Sequence, residues 1–122
     1  MRPRDASVLI GRAQFLDVRE PFEYDAGHVE GTLHIPIGEV KARVDELDSD
    51  VPVVVVCQVG QRSALVTEWL REQGFEADNL EGGLAQWATE GFPLTTAELS
   101  RGEIIDGWAR DLTGERLNPD PE

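Results

Sequence analysis

The single cysteine of the chain, Cys57, stands where a nucleophilic sulfur would be most useful. It follows an apolar run at residues 51–56 and precedes a short polar loop that leads into a helix-like segment. Four consecutive valines without alternation predict a strand that is buried on both faces. Open α/β sheets build their sites at the carboxyl ends of parallel strands. Backbone N–H groups of a loop and helix start favour a thiolate there, so this position predicts chemistry on sulfur.

The loop after Cys57 contains three residues that can stabilise a negative charge on its sulfur. Gly60 allows the backbone dihedral angles of a nest, in which successive N–H groups converge on one point. Arg62 adds a planar positive charge close to that point. Ser63 is expected to cap the following helix and so to hold the loop in register. The same cradle would stabilise a persulfide formed on Cys57 after a donor gives up its outer sulfur.

The cysteine count limits both compartment and mechanism. One cysteine forms no internal disulfide, which fits a reducing compartment and predicts a cytoplasmic protein. Without a resolving thiol in the chain, sulfur carried on Cys57 must leave to an outside acceptor. One cysteine and two histidines give no zinc constellation, and no metal or other cofactor is predicted.

Strands and helices that alternate along the chain must position this loop. Their spacing predicts an α/β fold, with an open, mostly parallel sheet and helices on both faces. Pro21 suits the first turn of a short helix, and Gly74 is the expected stop of the helix after the cysteine loop. The predicted strands are 14–19, 31–36, 51–56 and 75–80, and the predicted helices are 22–26, 37–47, 63–73 and 84–89.

Length and charge narrow the class of protein. The 122 residues suit one domain, and no stretch approaches the roughly 18 apolar residues of a membrane span. The N-terminus has two arginines but too short an apolar segment for a secretory signal. A net charge of −13 would repel phosphate backbones, so neither nucleic acid nor a membrane is an expected partner.

Three blocks of the chain, in order, resemble the signatures of the rhodanese family of sulfurtransferases. Residues 16–36, LDVREPFEYDAGHVEGTLHIP, are similar to its N-terminal pattern of D-V-R, E, G-H-I-x-G-A and I-P. Residues 57–63, CQVGQRS, are similar to its C-x-x-G-x-R-S active loop. Residues 80–94, LEGGLAQWATEGFPL, are similar to its closing G-G-x-x-x-W-x-x-x-G-x-P pattern.

This resemblance implies a rhodanese-like fold and a thiosulfate sulfurtransferase that works by a Cys57 persulfide. Cys57 would be the nucleophile, and Arg62 would orient a small anionic sulfur donor and offset its charge. The acceptor would be cyanide, a thiol or another protein. The loop expected to bind the substrate and the persulfide consists of Gln58, Val59, Gly60, Gln61, Arg62 and Ser63.

Two other functions have some support in the sequence. Phosphatases related to this fold use a wider Cys-x5-Arg loop and a general acid, whereas Cys57 and Arg62 enclose four residues and no such acid is evident. A sulfur-carrier or protein-docking module whose partner does the chemistry is the alternative that remains open. Its motivation is the segment after Thr95, in which Ile104, Trp108 and Leu112 have helical spacing.

Domain and supporting-residue predictions follow from the same patterns. A rhodanese-like domain is expected at residues 1–94, with an acidic extension at 95–122 that is partly ordered at most and could bind a protein partner. His28 and His34 are interpreted as framework and strand residues, and Trp69 and Trp87 as packing residues. The expected supporting residues, which hold the loop's surroundings or shape the rim of its pocket, are Asp17, Arg19, Gly82, Gly83 and Leu84.

Overall fold

A computed structural model describes residues 1–96 of the chain and contains a sheet of four parallel strands in this part. The strands are β1 (Gln14–Asp17), β2 (Leu33–His34), β3 (Val53–Val56) and β4 (Ala77–Asn79). The order across the sheet is β2–β1–β3–β4, and the all-parallel arrangement agrees with the predicted fold class. Each parallel crossover carries helical or turn structure, as such connections require.

Helices cover both faces of the sheet. Alternate valines of β3 point to opposite faces: Val53 and Val55 pack with one group of buried residues, and Val54 and Val56 with another. The helices are α1 (Pro3–Ser7), α2 (Pro21–Ala26), α3 (Gln61–Glu72) and α4 (Gly83–Thr89). The first group of buried residues includes side chains of α3, and the second includes side chains of α1 and α4.

The register of the sheet brings three polar side chains to one edge. Asp17, the last residue of β1, lies opposite Val56 across the β1–β3 pair. Cys57 therefore lies one residue beyond the level at which β1 ends. Asn79 lies opposite Val55 across the β3–β4 pair. Asp17, Cys57 and Asn79 therefore lie at the carboxyl ends of three neighbouring strands, where parallel sheets hold their sites.

Two local predictions were wrong. Residues 37–47 form two 3₁₀ turns, Ile37–Glu39 and Val44–Glu46, rather than one helix. Gly38 lowers helix propensity in this segment, while Val40 and Leu47 are buried in the core without a continuous helix. Ser63 does not cap α3, because the helix begins earlier, with Gly60 in the left-handed conformation at its N-cap.

The end of the described part packs back on the domain. Thr95 and His28 exchange two backbone hydrogen bonds, of 2.7 and 2.9 Å. Ile104, Trp108 and Leu112, on which the docking prediction rests, lie outside the described residues. Among residues 1–96, no helix has the length and apolar character to cross a membrane.

Candidate active site

The sulfur of Cys57 is completely buried and accepts hydrogen bonds from the loop that follows it. The Gly60 N–H lies 3.1 Å from Sγ. Ser63 contributes two donors, its N–H at 3.3 Å and its hydroxyl at 3.2 Å. The loop therefore directs three hydrogen-bond donors at one sulfur atom, an arrangement that favours a negative charge on that sulfur.

These contacts decide the ionisation of the thiol. Burial alone would raise the pKa of Cys57, because it disfavours the charged form. The Ser63 hydroxyl and the backbone N–H groups of Ser63, Gly60 and Val59 oppose burial, and together they bring the pKa of Cys57 below its usual value. Cys57 is therefore more thiolate-like than a free cysteine, as a sulfur nucleophile must be.

The conformation of Gly60 closes the turn. Its φ of +97° is unfavourable for residues with a side chain. A Cβ there would also lie 3.3 Å from the Gly82 nitrogen. Asn79 fixes the same residue from β4, because its Nδ2 donates to the Gly60 carbonyl at 3.1 Å. The positive φ and the close approach of Gly82 both favour glycine at position 60.

The start of α4 holds the other side of the loop. The Leu84 N–H donates to the Cys57 carbonyl, and the Ala85 N–H donates to the Gln58 carbonyl, both at 2.9 Å. Gly83 has a φ of +62°, and a Cβ there would lie 2.5 Å from backbone atoms of Cys57 and Gln58. Leu84 was expected at the pocket rim; instead its side chain lies in the core, and only its backbone supports the loop.

A buried ion pair supports the loop from β1. Arg19 and Asp17 are almost fully buried and are joined by hydrogen bonds of 2.8 to 3.1 Å. The same guanidinium donates to the Gly27 carbonyl at 2.7 Å and to Oε1 of Gln58 at 3.2 Å. Arg19 therefore links the end of β1 to Gln58, the residue after the cysteine.

Arg62 is paired with a carboxylate of α2 that is not among the predicted site residues. Its two terminal nitrogens contact the two oxygens of Glu23 in α2, at 2.8 and 2.9 Å. These hydrogen bonds lower the pKa of Glu23 to about 2 and raise that of Arg62. Glu23 is therefore ionised at neutral pH, and the positive charge of Arg62 is already balanced.

A cavity of about 400 Å³ opens beside the loop. Cys57 itself has no exposed surface, so a donor reaches Sγ only when a neighbouring side chain moves. The cavity combines one carboxylate, one buried guanidinium and apolar groups, and its lining consists of Arg19, Phe22, Glu23, Ala26, Gly27, Gln58 and Leu94.

Two histidines and two tryptophans belong to the structural framework around the site. A ring nitrogen of His28 contacts the Tyr24 carbonyl, and one of His34 contacts the Arg19 carbonyl, both at 2.8 Å. Trp87 is fully buried, and Trp69 packs partly buried against the core. Within residues 1–96, no group of three or more His, Cys, Asp or Glu side chains is placed to hold a metal ion.

Comparison with known proteins decides the family. The protein-family model described as "Rhodanese-like domain" matches residues 3–90 of the chain. The chain belongs to the rhodanese-like domain family. This rhodanese-like domain is also similar to the crystal structure of a rhodanese-related protein from Thermoplasma volcanium, with a TM-score of 0.75 and 35% sequence identity. That match covers 78% of this chain and 95% of the other.

Two curated relatives from Bacillus subtilis have names that bear on sulfur. "Putative sulfurtransferase YtwF" is 38% identical over 78 residues, which are 64% of this rhodanese-like domain protein and 76% of the relative. "Putative sulfur carrier protein YrkF" is 38% identical over 73 residues, which are 59% of this chain and 40% of the relative. The chain spans 61% and 40% of the length of two of the curated relatives it matches.

Glu23 and Asn79 are the site residues that sequence reasoning missed. Asn79 could have been found, because it ends the strand beside β3 and so must lie at the same sheet edge as Cys57. Glu23 had no comparable signal, since its partner Arg62 is 39 residues away along the chain. In the structure, Glu23 also forms a capping box with Glu20 at the start of α2.

Proposed function

We propose that this protein transfers sulfane sulfur through a persulfide on Cys57, from thiosulfate or a similar small anionic donor to a thiophilic acceptor. The acceptor would be cyanide or a thiol, either free or on a protein. The reaction would take place in the cytoplasm. The observation that carries the proposal is the convergence of the Gly60 and Ser63 donors on a buried sulfur. Membership of the rhodanese-like family and the names of the relatives support it.

The proposed reaction has two displacement steps. The Cys57 thiolate attacks the outer sulfur of thiosulfate, a new S–S bond forms, and sulfite leaves with the electron pair of the broken S–S bond. The charge then lies on the outer sulfur of the Cys57 persulfide. An acceptor such as cyanide attacks that sulfur, thiocyanate leaves, and the Cys57 thiolate is restored. Neither step requires a general base once Cys57 is ionised.

The proposed binding groups are the loop and its charged neighbours. The N–H groups that solvate the thiolate would also solvate the persulfide, because both are anions at nearly the same place. Arg62 would orient an anionic donor, in competition with Glu23 for the same guanidinium. The proposed loop is the whole segment from Gln58 to Ser63, of which Gly60 and Ser63 provide the hydrogen bonds described above.

Intact-mass measurement tests the first step. Reduced protein incubated with thiosulfate is expected to gain one sulfur atom, because the thiolate cradle also suits the persulfide. Cyanide is expected to remove that atom and release thiocyanate. Protein that gains no sulfur from thiosulfate would contradict thiosulfate as the donor.

A sulfur-carrier function is the second candidate, and two observations favour it. One relative is named a sulfur carrier. Phe22 and Val59, which lie in α2 and in the loop, are exposed apolar side chains of the kind that mark protein contacts. Repeated release of thiocyanate under steady-state conditions would favour the enzyme, and a single loading without turnover would favour the carrier.

Replacement of Glu23 by Gln is expected to speed loading from thiosulfate by about threefold to tenfold. The carboxylate repels a dianion and competes for Arg62, and removing one such charge near a site changes association by roughly this factor. The gain should shrink as salt is added. Glu72→Gln is the matched control, because it removes the same charge at the far end of α3, roughly 17 Å away along the helix. Equal effects of the two variants, or slower loading in Glu23→Gln, would contradict a competing role for Glu23.

A further inference from the structure

The hydroxyl group of Ser63 has two acceptors and one proton. Its oxygen lies 3.2 Å from the Cys57 sulfur and 2.5 Å from Oδ1 of Asn79. A serine hydroxyl donates only one hydrogen bond at a time. Ser63 is completely buried, so exchange of this hydrogen bond for one to bulk water is unavailable to it. The sulfur and the amide oxygen must therefore share a single donor.

The backbone fixes which end of the Asn79 amide faces Ser63. Nδ2 of Asn79 donates to the Gly60 carbonyl at 3.1 Å. Turning the amide over would place two oxygens, Oδ1 and the Gly60 carbonyl, against each other. Oδ1 is consequently held toward Ser63, as an acceptor with no proton of its own to offer.

We propose that Asn79 is a positioning residue that competes with the Cys57 sulfur for the single proton of the Ser63 hydroxyl. With Cys57 as a neutral thiol, the S–H group donates to the Ser63 oxygen, and the Ser63 hydroxyl donates to Asn79. With Cys57 as a thiolate, the hydroxyl turns to the sulfur and leaves Oδ1 of Asn79 without its donor. Asn79 therefore stabilises the thiol form and moderates the ionisation that the rest of the cradle promotes.

This inference rests on Cys57 as the nucleophile of the proposed function, but its test needs no sulfur donor. The pKa of Cys57 is measured on the full chain from the ultraviolet absorbance of the thiolate and from the rate of iodoacetamide alkylation against pH. Cys57 is the single cysteine of the sequence, so no other thiol contributes to either signal. A failure of thiosulfate as a donor would leave this measurement unaffected.

Asn79→Ala is expected to lower the pKa of Cys57 by about half to one pH unit, the effect of one neutral hydrogen bond. Asn79→Leu, which keeps similar bulk without an acceptor, should shift it the same way and serves if the alanine variant folds poorly. Asp78→Ala is the matched control, because neighbouring strand residues face opposite ways, and it should leave the pKa in place.

A double-mutant cycle separates this mechanism from simple loosening of the loop. Ser63→Ala removes the contested proton and is expected to raise the pKa of Cys57. In that background Asn79→Ala should cause no further shift, because nothing remains to compete for. A shift that persists without the Ser63 hydroxyl, or a pKa that Asn79→Ala raises or leaves unchanged, would overturn the proposal.

The other charged groups around Cys57 are the same in every variant except the Asp78 control. On the elements packed near the loop they form ion pairs, with Glu20 at the N-cap of α2 as a further charge near Arg62, and the cycle compares proteins with the same fixed charges. These pairs are Asp17 with Arg19, Glu23 with Arg62, Asp78 with Arg71, and Glu81 with the N-terminal amine.

Discussion

Cys57→Ser is expected to lose sulfur loading from thiosulfate by about a thousandfold or more. The oxygen of serine fits the space of the sulfur, so the loop can keep the Gly60 and Ser63 hydrogen bonds. What changes is the chemistry, because a serine hydroxyl remains protonated where a cysteine in this cradle ionises. The persulfide also needs a second sulfur atom bonded to the first. Intact mass after incubation with thiosulfate measures the loss directly.

The control for this variant is its fold. Cys57 lies in the core, so circular dichroism and thermal unfolding must show that the serine variant is folded before its inactivity counts. A folded Cys57→Ser protein that still gains one sulfur atom would contradict the proposed function. No other cysteine exists to accept the atom, so a retained mass gain would identify a different sulfur-binding group.

The sheet was predictable because its signals are local. The valine run that ends at Cys57 has no polar face, and only burial between two layers accommodates such a strand. Gly74, expected to stop the helix after the loop, follows the C-cap of α3 with a φ of +96°. The helix predicted at residues 37–47 was wrong, because the apolar spacing suits a helix while the core requires only that Val40 and Leu47 be buried. Apolar spacing fixed which face is buried there but not the type of turn.

The site was predictable only as far as it is continuous in sequence. Cys57, Gly60 and Ser63 lie within seven residues, and their cradle could be expected from loop chemistry. The part assigned to Ser63 was nevertheless wrong, since its hydroxyl serves the sulfur and not a helix cap. The contacts of Glu23 and Asn79 join separate elements of the fold. Such pairings follow from sheet order and packing, which a single sequence specifies only indirectly.

Gly83→Ala is expected to reduce sulfur loading by about a hundredfold, the usual cost of moving a reacting group by about 1 Å. The new Cβ would lie 2.5 Å from the backbone of Cys57 and Gln58, so either the loop or the start of α4 must shift. A shift of α4 breaks the hydrogen bonds from Leu84 and Ala85 to the loop carbonyls. The clash and the positive φ together should lower the free energy of unfolding by roughly 3 kcal/mol.

Gly74→Ala separates the clash from the backbone conformation. Gly74 also has a positive φ, of +96°, but nothing lies within 4 Å of a Cβ built there. Its substitution should lower the free energy of unfolding by about 1–2 kcal/mol and leave loading unchanged, because it stands at the far end of α3 from Cys57. Denaturant unfolding and intact mass measure both effects on each variant. If Gly83→Ala loaded sulfur as fast as Gly74→Ala, the close contact between α4 and the loop would not be what positions Cys57.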